Sequence, residues 1–298
     1  PPGKDRPTNR TDKAHKAYFN RLVNGIAEAV IAAEKNLVPA QMAHGVALVP
    51  EEIFNRRWHM KEGGIAVNPF GDPNDTVRMN PPRNLIERPA GPTDPEVHFV
   101  SLRGVDGRPI ALLANYSLHY VGNVPKDSVS ADYFGVFAGH IEKAIGNDAG
   151  FVAIMSNGTS GDVSNNDFRT KPERLPAWVK MQRVANDIAG EVAEVIEDIE
   201  HSDAATLAVA AIELQLGVRR PDAARLVWAR HTLANDTDPQ RLTRPEIYAQ
   251  EALALATFPP KVPVVLQAFR VGELRIMTVP CEMFAETGLA LKKKARTA

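Results

Sequence analysis

The sequence predicts an α/β fold, a mixed β-sheet flanked by helices with its active site at the strand ends. Three observations carry that prediction. Residues 96–102 and 110–116 read as strands, and the turn Val105-Asp106-Gly107-Arg108 between them is an Asp-Gly hairpin signal. Stretches of helical periodicity separate other strand candidates, as crossover connections require. The apolar run 151–155 then breaks into the polar loop Ser156 to Asn166, at the carboxyl end of a strand, where open sheets place their chemistry. Hairpins and crossovers together argue for a mixed sheet rather than a doubly wound parallel one.

Along the chain, a polar lead at 1–13 precedes a helix over 14–34. There Phe19, Leu22, Val23, Ile26, Val30 and Ile31 fall along one face. A strand follows at 41–48. Residues 62–95 are so dense in proline, glycine and asparagine that they predict no regular element, only an ordered lid or wall over the surface. After the hairpin come a helix at 132–145, the strand at 151–155 and a long helix at 172–199. Next are a strand at 207–216 and helices at 221–233 and 244–256. The strands 262–270 and 273–279 are joined by Val271-Gly272, and 283–292 reads as a closing helix. No internal repeat or low-complexity segment interrupts this order.

Composition narrows the functions. The 298 residues carry a formal net charge of −1, which gives no support for nucleic-acid binding, and the basic runs Arg56-Arg57 and Lys292-Lys293-Lys294 read as solvated surface. No apolar run approaches the ~18–20 residues that span a bilayer. Cys281 is the only cysteine, so no intrachain disulfide can form. The length fits one large domain or two small ones, and the chain is read as a single domain over 1–298.

Phosphate loops, paired cysteines and His-Glu-x-x-His helices are absent from the sequence. Gly158-Thr159-Ser160-Gly161-Asp162 approaches a nucleophile elbow, but its second glycine falls one place early. Three further groups each follow a predicted strand: His119 in Ser117-Leu118-His119-Tyr120, Glu282 in Val279-Pro280-Cys281-Glu282, and Asn55-Arg56. Taken singly, each has a plainer reading: a hydrogen-bonded structural histidine, a first-turn helix carboxylate and a surface cation. Their convergence at one sheet edge makes them site candidates.

The order Ala114…His119, Ser130-Ala131-Asp132-Tyr133, Phe151-Val152-Ala153…Asn157…Gly161-Asp162-Val163-Ser164 and Val279-Pro280-Cys281-Glu282 resembles the catalytic domain of neutral/alkaline non-lysosomal ceramidases. Asn55-Arg56 resembles that family's Asn-Arg pair. The resemblance implies a zinc-dependent amidohydrolase that cleaves the N-acyl bond of ceramide or a related lipid amide, with peripheral membrane contact and a secreted or periplasmic setting. It assigns zinc to His119 and Glu282, with a His-x-His segment and a tyrosine lying outside these residues. It places Ser164, Arg56 and Asp162 at the catalytic centre, and Asn165, Asn157 and Tyr120 against the substrate. This sequence has Ser164-Asn165-Asn166 where the family has Ser-Pro-Asn, and Ser130-Ala131-Asp132-Tyr133 where it has Ser-Gly-Asp-Asn. Two other readings stand beside it. One is a serine amidase or esterase using Ser160 or Ser164 with His119. The other is a non-catalytic, lipid-binding domain of ceramidase-like fold.

Overall fold

A computed structural model of the chain describes residues 13–145, 150–203, 206–234 and 241–297. The polar lead therefore lies almost wholly outside the described residues. In chain order the elements begin with α1 (Lys13–Lys35), β1 (Ala40–Leu48), β2 (Phe54–Asn55), β3 (Arg57–Met60), β4 (Val77–Met79) and β5 (Ile86–Pro89). The hairpin β6 (Glu96–Gly104) and β7 (Pro109–Tyr116) follows, then α2 (Asp132–Ala144), β8 (Val152–Asn157), β9 (Val163–Ser164) and α3 (Val179–Asp198). The last elements are β10 (Leu207–Gly217), α4 (Ala223–Ala234), α5 (Arg244–Ala256), β11 (Lys261–Val271), β12 (Leu274–Thr278) and α6 (Ala285–Thr297).

The chain divides into two compact units. The larger holds residues Pro39–Ala66, Pro73–Ile212 and Val265–Ala298. Its sheet has the order β1-β6-β7-β8, antiparallel across the first three strands and parallel between β7 and β8, so it is mixed as predicted. Residues alternate across it. Ala47, Val97, Phe99, Leu112, Ala114 and Met155 are buried in one core with Tyr133, Phe137 and Ile141 of α2 and Met181, Val184 and Ile188 of α3. The Asp-Gly turn forms as read: Gly107 has φ 84°, a value glycine adopts freely, and its N–H donates to Gly104 O at 2.9 Å.

Two expectations change. The segment 62–95 does contain regular structure, since β4 and β5 both pair with β3 in the order β4-β3-β5. Prolines forbid a central strand but tolerate an edge, and both strands are edges, with Pro89 opposite Trp58. The long helix begins at Val179 rather than 172, because Pro172 and Pro176 hold the approach out of helical geometry and Trp178 sits at φ 72° before it.

The smaller unit comprises the described residues up to Val38, with Val67–Asp72 and Glu213–Val264. Ala229, Ala249 and Ala252 of α4 and α5 form its small core. Phe70 meets the rings of Trp228 and Tyr248 edge-on at 5.2 and 5.3 Å, with the Arg225 guanidinium 3.5 Å from the Phe70 centroid. A Thr243–Glu246 capping box starts α5. The helix α1 forms where its periodicity predicts, yet Phe19, Ile26 and Val30 along its apolar face are exposed.

Candidate functional site

The site is assembled from three loops of the larger unit that interlock around Gly161 and Asp162. Asp162 is 1% exposed, and both of its carboxylate oxygens accept internal hydrogen bonds. Oδ2 takes Asn55 Nδ2 at 3.0 Å, and Oδ1 takes the Ala285 N–H that opens α6 at 2.9 Å. Its carbonyl accepts the Arg56 N–H at 2.8 Å, and Gly161 N–H donates to Met283 O at 2.8 Å. A Cβ on Gly161 would meet Glu282 O at 2.7 Å and Met283 O at 2.9 Å, so only glycine permits this approach. Asp162 thus ties the Asn55-Arg56 segment, the β8 loop and the Glu282 segment together, with each carboxylate oxygen engaged in one hydrogen bond.

Arg56 is aimed by the same junction. Its Nη2 donates to Gly161 O at 2.7 Å, while Nε is buried and has no partner. A buried guanidinium N–H without an acceptor is costly, and such a donor is what a polar ligand would satisfy.

His119 follows β7 on a loop held at both ends. Tyr133 Oη donates to Leu118 O at 2.9 Å within the core. Asp132, at φ 53°, accepts the N–H groups of Val121 and Gly122 on its two oxygens, each at 2.9 Å. Asp132 reads in sequence as a helix-start acid within Ser130-Ala131-Asp132-Tyr133; its role in bracing the histidine loop depends on partners ten and eleven residues away. The His119 imidazole is held below its ordinary pKa, first by burial and then by the Arg56 guanidinium, against an opposing pull from Glu282 and Asp132. The charges of Arg56 and Glu282 therefore both act on the His119 ring. Nδ1 of His119 accepts the Tyr120 N–H at 2.9 Å, so the neutral ring carries its proton on Nε2.

The other candidates are placed differently. Ser164 pairs with Phe54 across β2 and β9, and its hydroxyl accepts the Asn166 N–H at 3.1 Å. Ser160 is buried, with its hydroxyl accepting from Asn157 Nδ2 at 2.9 Å. Neither serine is hydrogen-bonded to a histidine, so the serine–histidine pair that a nucleophile needs is not formed. Asn165 is buried and reaches Tyr120 O at 3.4 Å, while Tyr120 is exposed with its ring edge-on to His119. Lys180 supports this loop by donating to Asn165 O at 2.5 Å, a partner that sequence reading missed. Asn157 and Glu282 line a cavity of about 730 Å³, together with Asn115, Ser117, Leu113 and Met277.

The ligand set does not fit a resident zinc. The one lone pair of neutral His119 is taken by a backbone N–H, and no three His, Cys, Asp or Glu side chains among the described residues group as metal ligands. Catalytic zinc normally has at least three protein ligands.

With this geometry in hand, the chain can be set beside solved structures. It is similar to the neutral ceramidase from Pseudomonas aeruginosa at 17% identity and a TM-score of 0.58, over 92% of this chain and 45% of that one. It is likewise similar to a ceramidase complexed with C2 at 15% identity and a TM-score of 0.60, over 92% of this chain and 47% of that one. The chain thus spans a little under half the length of the ceramidases it matches. At such identity the likeness establishes a ceramidase-like fold. No protein-family model and no curated protein matches the sequence.

Proposed function

We propose that this chain supplies working residues of a hydrolase that cleaves the N-acyl bond of a ceramide-like lipid amide. The observation that carries the reading is the buried, unpartnered Arg56 Nε, on a guanidinium whose charge, like that of Glu282, acts on the His119 imidazole, in a ceramidase-like fold. Each group suits a step of amide hydrolysis. The Glu282 carboxylate takes a proton from water as its oxygen attacks the carbonyl carbon. Arg56 Nε–H donates to the carbonyl oxygen as it becomes an oxyanion, a contribution of about 10²–10³ in rate. The protonated Glu282 then hands that proton to the departing nitrogen while His119 Nε2–H hydrogen-bonds the substrate, the C–N bond breaks, and a fatty acid and an amine leave. Ser164, Asn165 and Tyr120 would border the substrate. No step is assigned to zinc here, because the ligands among the described residues fall short of a catalytic set.

The test is release of fatty acid from an N-acylated sphingoid base, followed by mass spectrometry with added zinc and with chelator. Release that is lost in Glu282→Gln and Arg56→Ala supports the proposal. Absence of release in every condition defeats it. One observation favours a second reading, a non-catalytic lipid-binding domain: the His119 lone pair is already engaged by the backbone. Saturable lipid binding without turnover would select that alternative.

A further inference from the structure

The face of the β1-β6-β7-β8 sheet opposite α2 and α3 carries a chain of ionisable side chains that the proposed reaction does not use. His44 on β1 and His98 on β6 have ring planes 12° apart and centroids 5.4 Å apart, with His44 Nε2 3.2 Å from His98 Nδ1. The centroids are farther apart than the nitrogens by about two ring radii. The rings therefore meet edge to edge, with one hydrogen between them. His98 Nε2 lies 2.9 Å from Glu96 Oε2, and Lys292 of α6 lies 3.1 Å from that same oxygen and 2.7 Å from Asp94 Oδ2. Because Glu96 accepts, His98 Nε2 holds a hydrogen, its Nδ1 is the acceptor and His44 Nε2 is the donor.

We propose that this chain is an acid-released latch fastening α6 to the sheet. A proton added to His98 sets a second cation on the Glu96 oxygen, one of the two carboxylate oxygens that Lys292 uses. A further proton leaves two N–H groups facing each other at 3.2 Å with no lone pair between them. Either step loosens Lys292. Asp94 is 1% exposed, and its ion pair among the described residues is with Lys292 of the helix that would leave.

The charges facing the pair are Asp94, Glu96 and Lys292. Arg270 and Arg275, which also line the cavity, are turned to Glu273 and to Ala295 O. Burial lowers both imidazoles from 6.5. At His98 the hydrogen bond to Glu96 opposes the shift and the Lys292 charge reinforces it; at His44 the His98 charge adds to it. A depressed imidazole pKa means that the released state binds more protons. Docking is therefore complete above about pH 6.5 and is lost as pH falls below it. His44 is exposed on the cavity side, so the proton has a route in. Glu282 lies three positions before Ala285, the first residue of α6, whose N–H is held by Asp162, so release would disturb that segment too. The latch does not depend on the hydrolase reading.

Hydrogen exchange read by mass spectrometry, from pH 8 to pH 5 and corrected for intrinsic rates, tests the latch. Protection of α6 should fall below pH 6.5, by up to about tenfold per pH unit per imidazole. Protection of α2 and α3 should hold over the same range. His98→Gln keeps a donor for Glu96 and an acceptor for His44 without titrating, and should flatten the response. Lys292→Met should leave α6 weakly protected at every pH. PH-independent protection of α6 in the unaltered chain, a pH response that survives His98→Gln, or full protection in Lys292→Met would each overturn the proposal.

Discussion

Arg56 has two ends with different duties, and they can be separated. Nη2 holds the Gly161 carbonyl, while Nε points to no acceptor. Arg56→Lys should cost about 1–2 kcal/mol of stability for one charge-assisted hydrogen bond. It should cost turnover about 100-fold, if Nε serves the oxyanion. Thermal melts and fatty-acid release on the same sample decide this; turnover falling only with the folded fraction would make Arg56 a brace. Asp162 is the reverse case. Asp162→Asn sets an amide hydrogen against Asn55 Nδ2 or the Ala285 N–H, and should cost about 2–3 kcal/mol in urea unfolding with an unchanged m-value. His119, Glu282 and Arg56 were legible as residues because each follows a strand. The bracing role of Asp162 was not, since Asn55 and Ala285 lie 107 and 123 positions away and only folding brings them to it.

At the scale of elements, the junction between the β8 loop and the Glu282 segment brings backbone against backbone. A methyl group on Gly161 would press on two backbone carbonyls, which cannot rotate away as a side chain would. Gly161→Ala should therefore destabilise by about 1–3 kcal/mol and shift the Glu282 segment. Two-dimensional amide spectra should show that shift at 280–285 while the α3 signals stay in place. Unperturbed spectra at 280–285 would show that the junction can yield. The sequence read well wherever a local pattern decided the outcome, as in the Asp-Gly hairpin and the helix α5. It read poorly across 62–95, where proline content was taken to preclude strands. The pairing of β4 and β5 to β3 is a tertiary decision, and edge positions spare a proline the hydrogen bond it cannot donate.

For the molecule as a whole, the uneven burial between the two units has an energetic consequence. The larger unit buries full-sized side chains such as Tyr116, Tyr133, Phe99 and Phe137. The smaller relies on three alanines and an aromatic cluster around Phe70. Composition alone could not reveal this, because 44% apolar content is averaged over both units, and the periodic face of α1 reads as core although it is exposed. Buried apolar area contributes about 25 cal/mol per Å², so a core of alanines resists unfolding far less than one of aromatic and long aliphatic residues. Unfolding should then depart from two-state behaviour. In rising urea, hydrogen exchange should release α4 and α5 at a lower concentration than α2 and α3. Phe70→Ala should widen that gap by lowering only the first transition. Coincident transitions for all four helices, before and after that substitution, would mean that the units unfold as one despite their unequal cores.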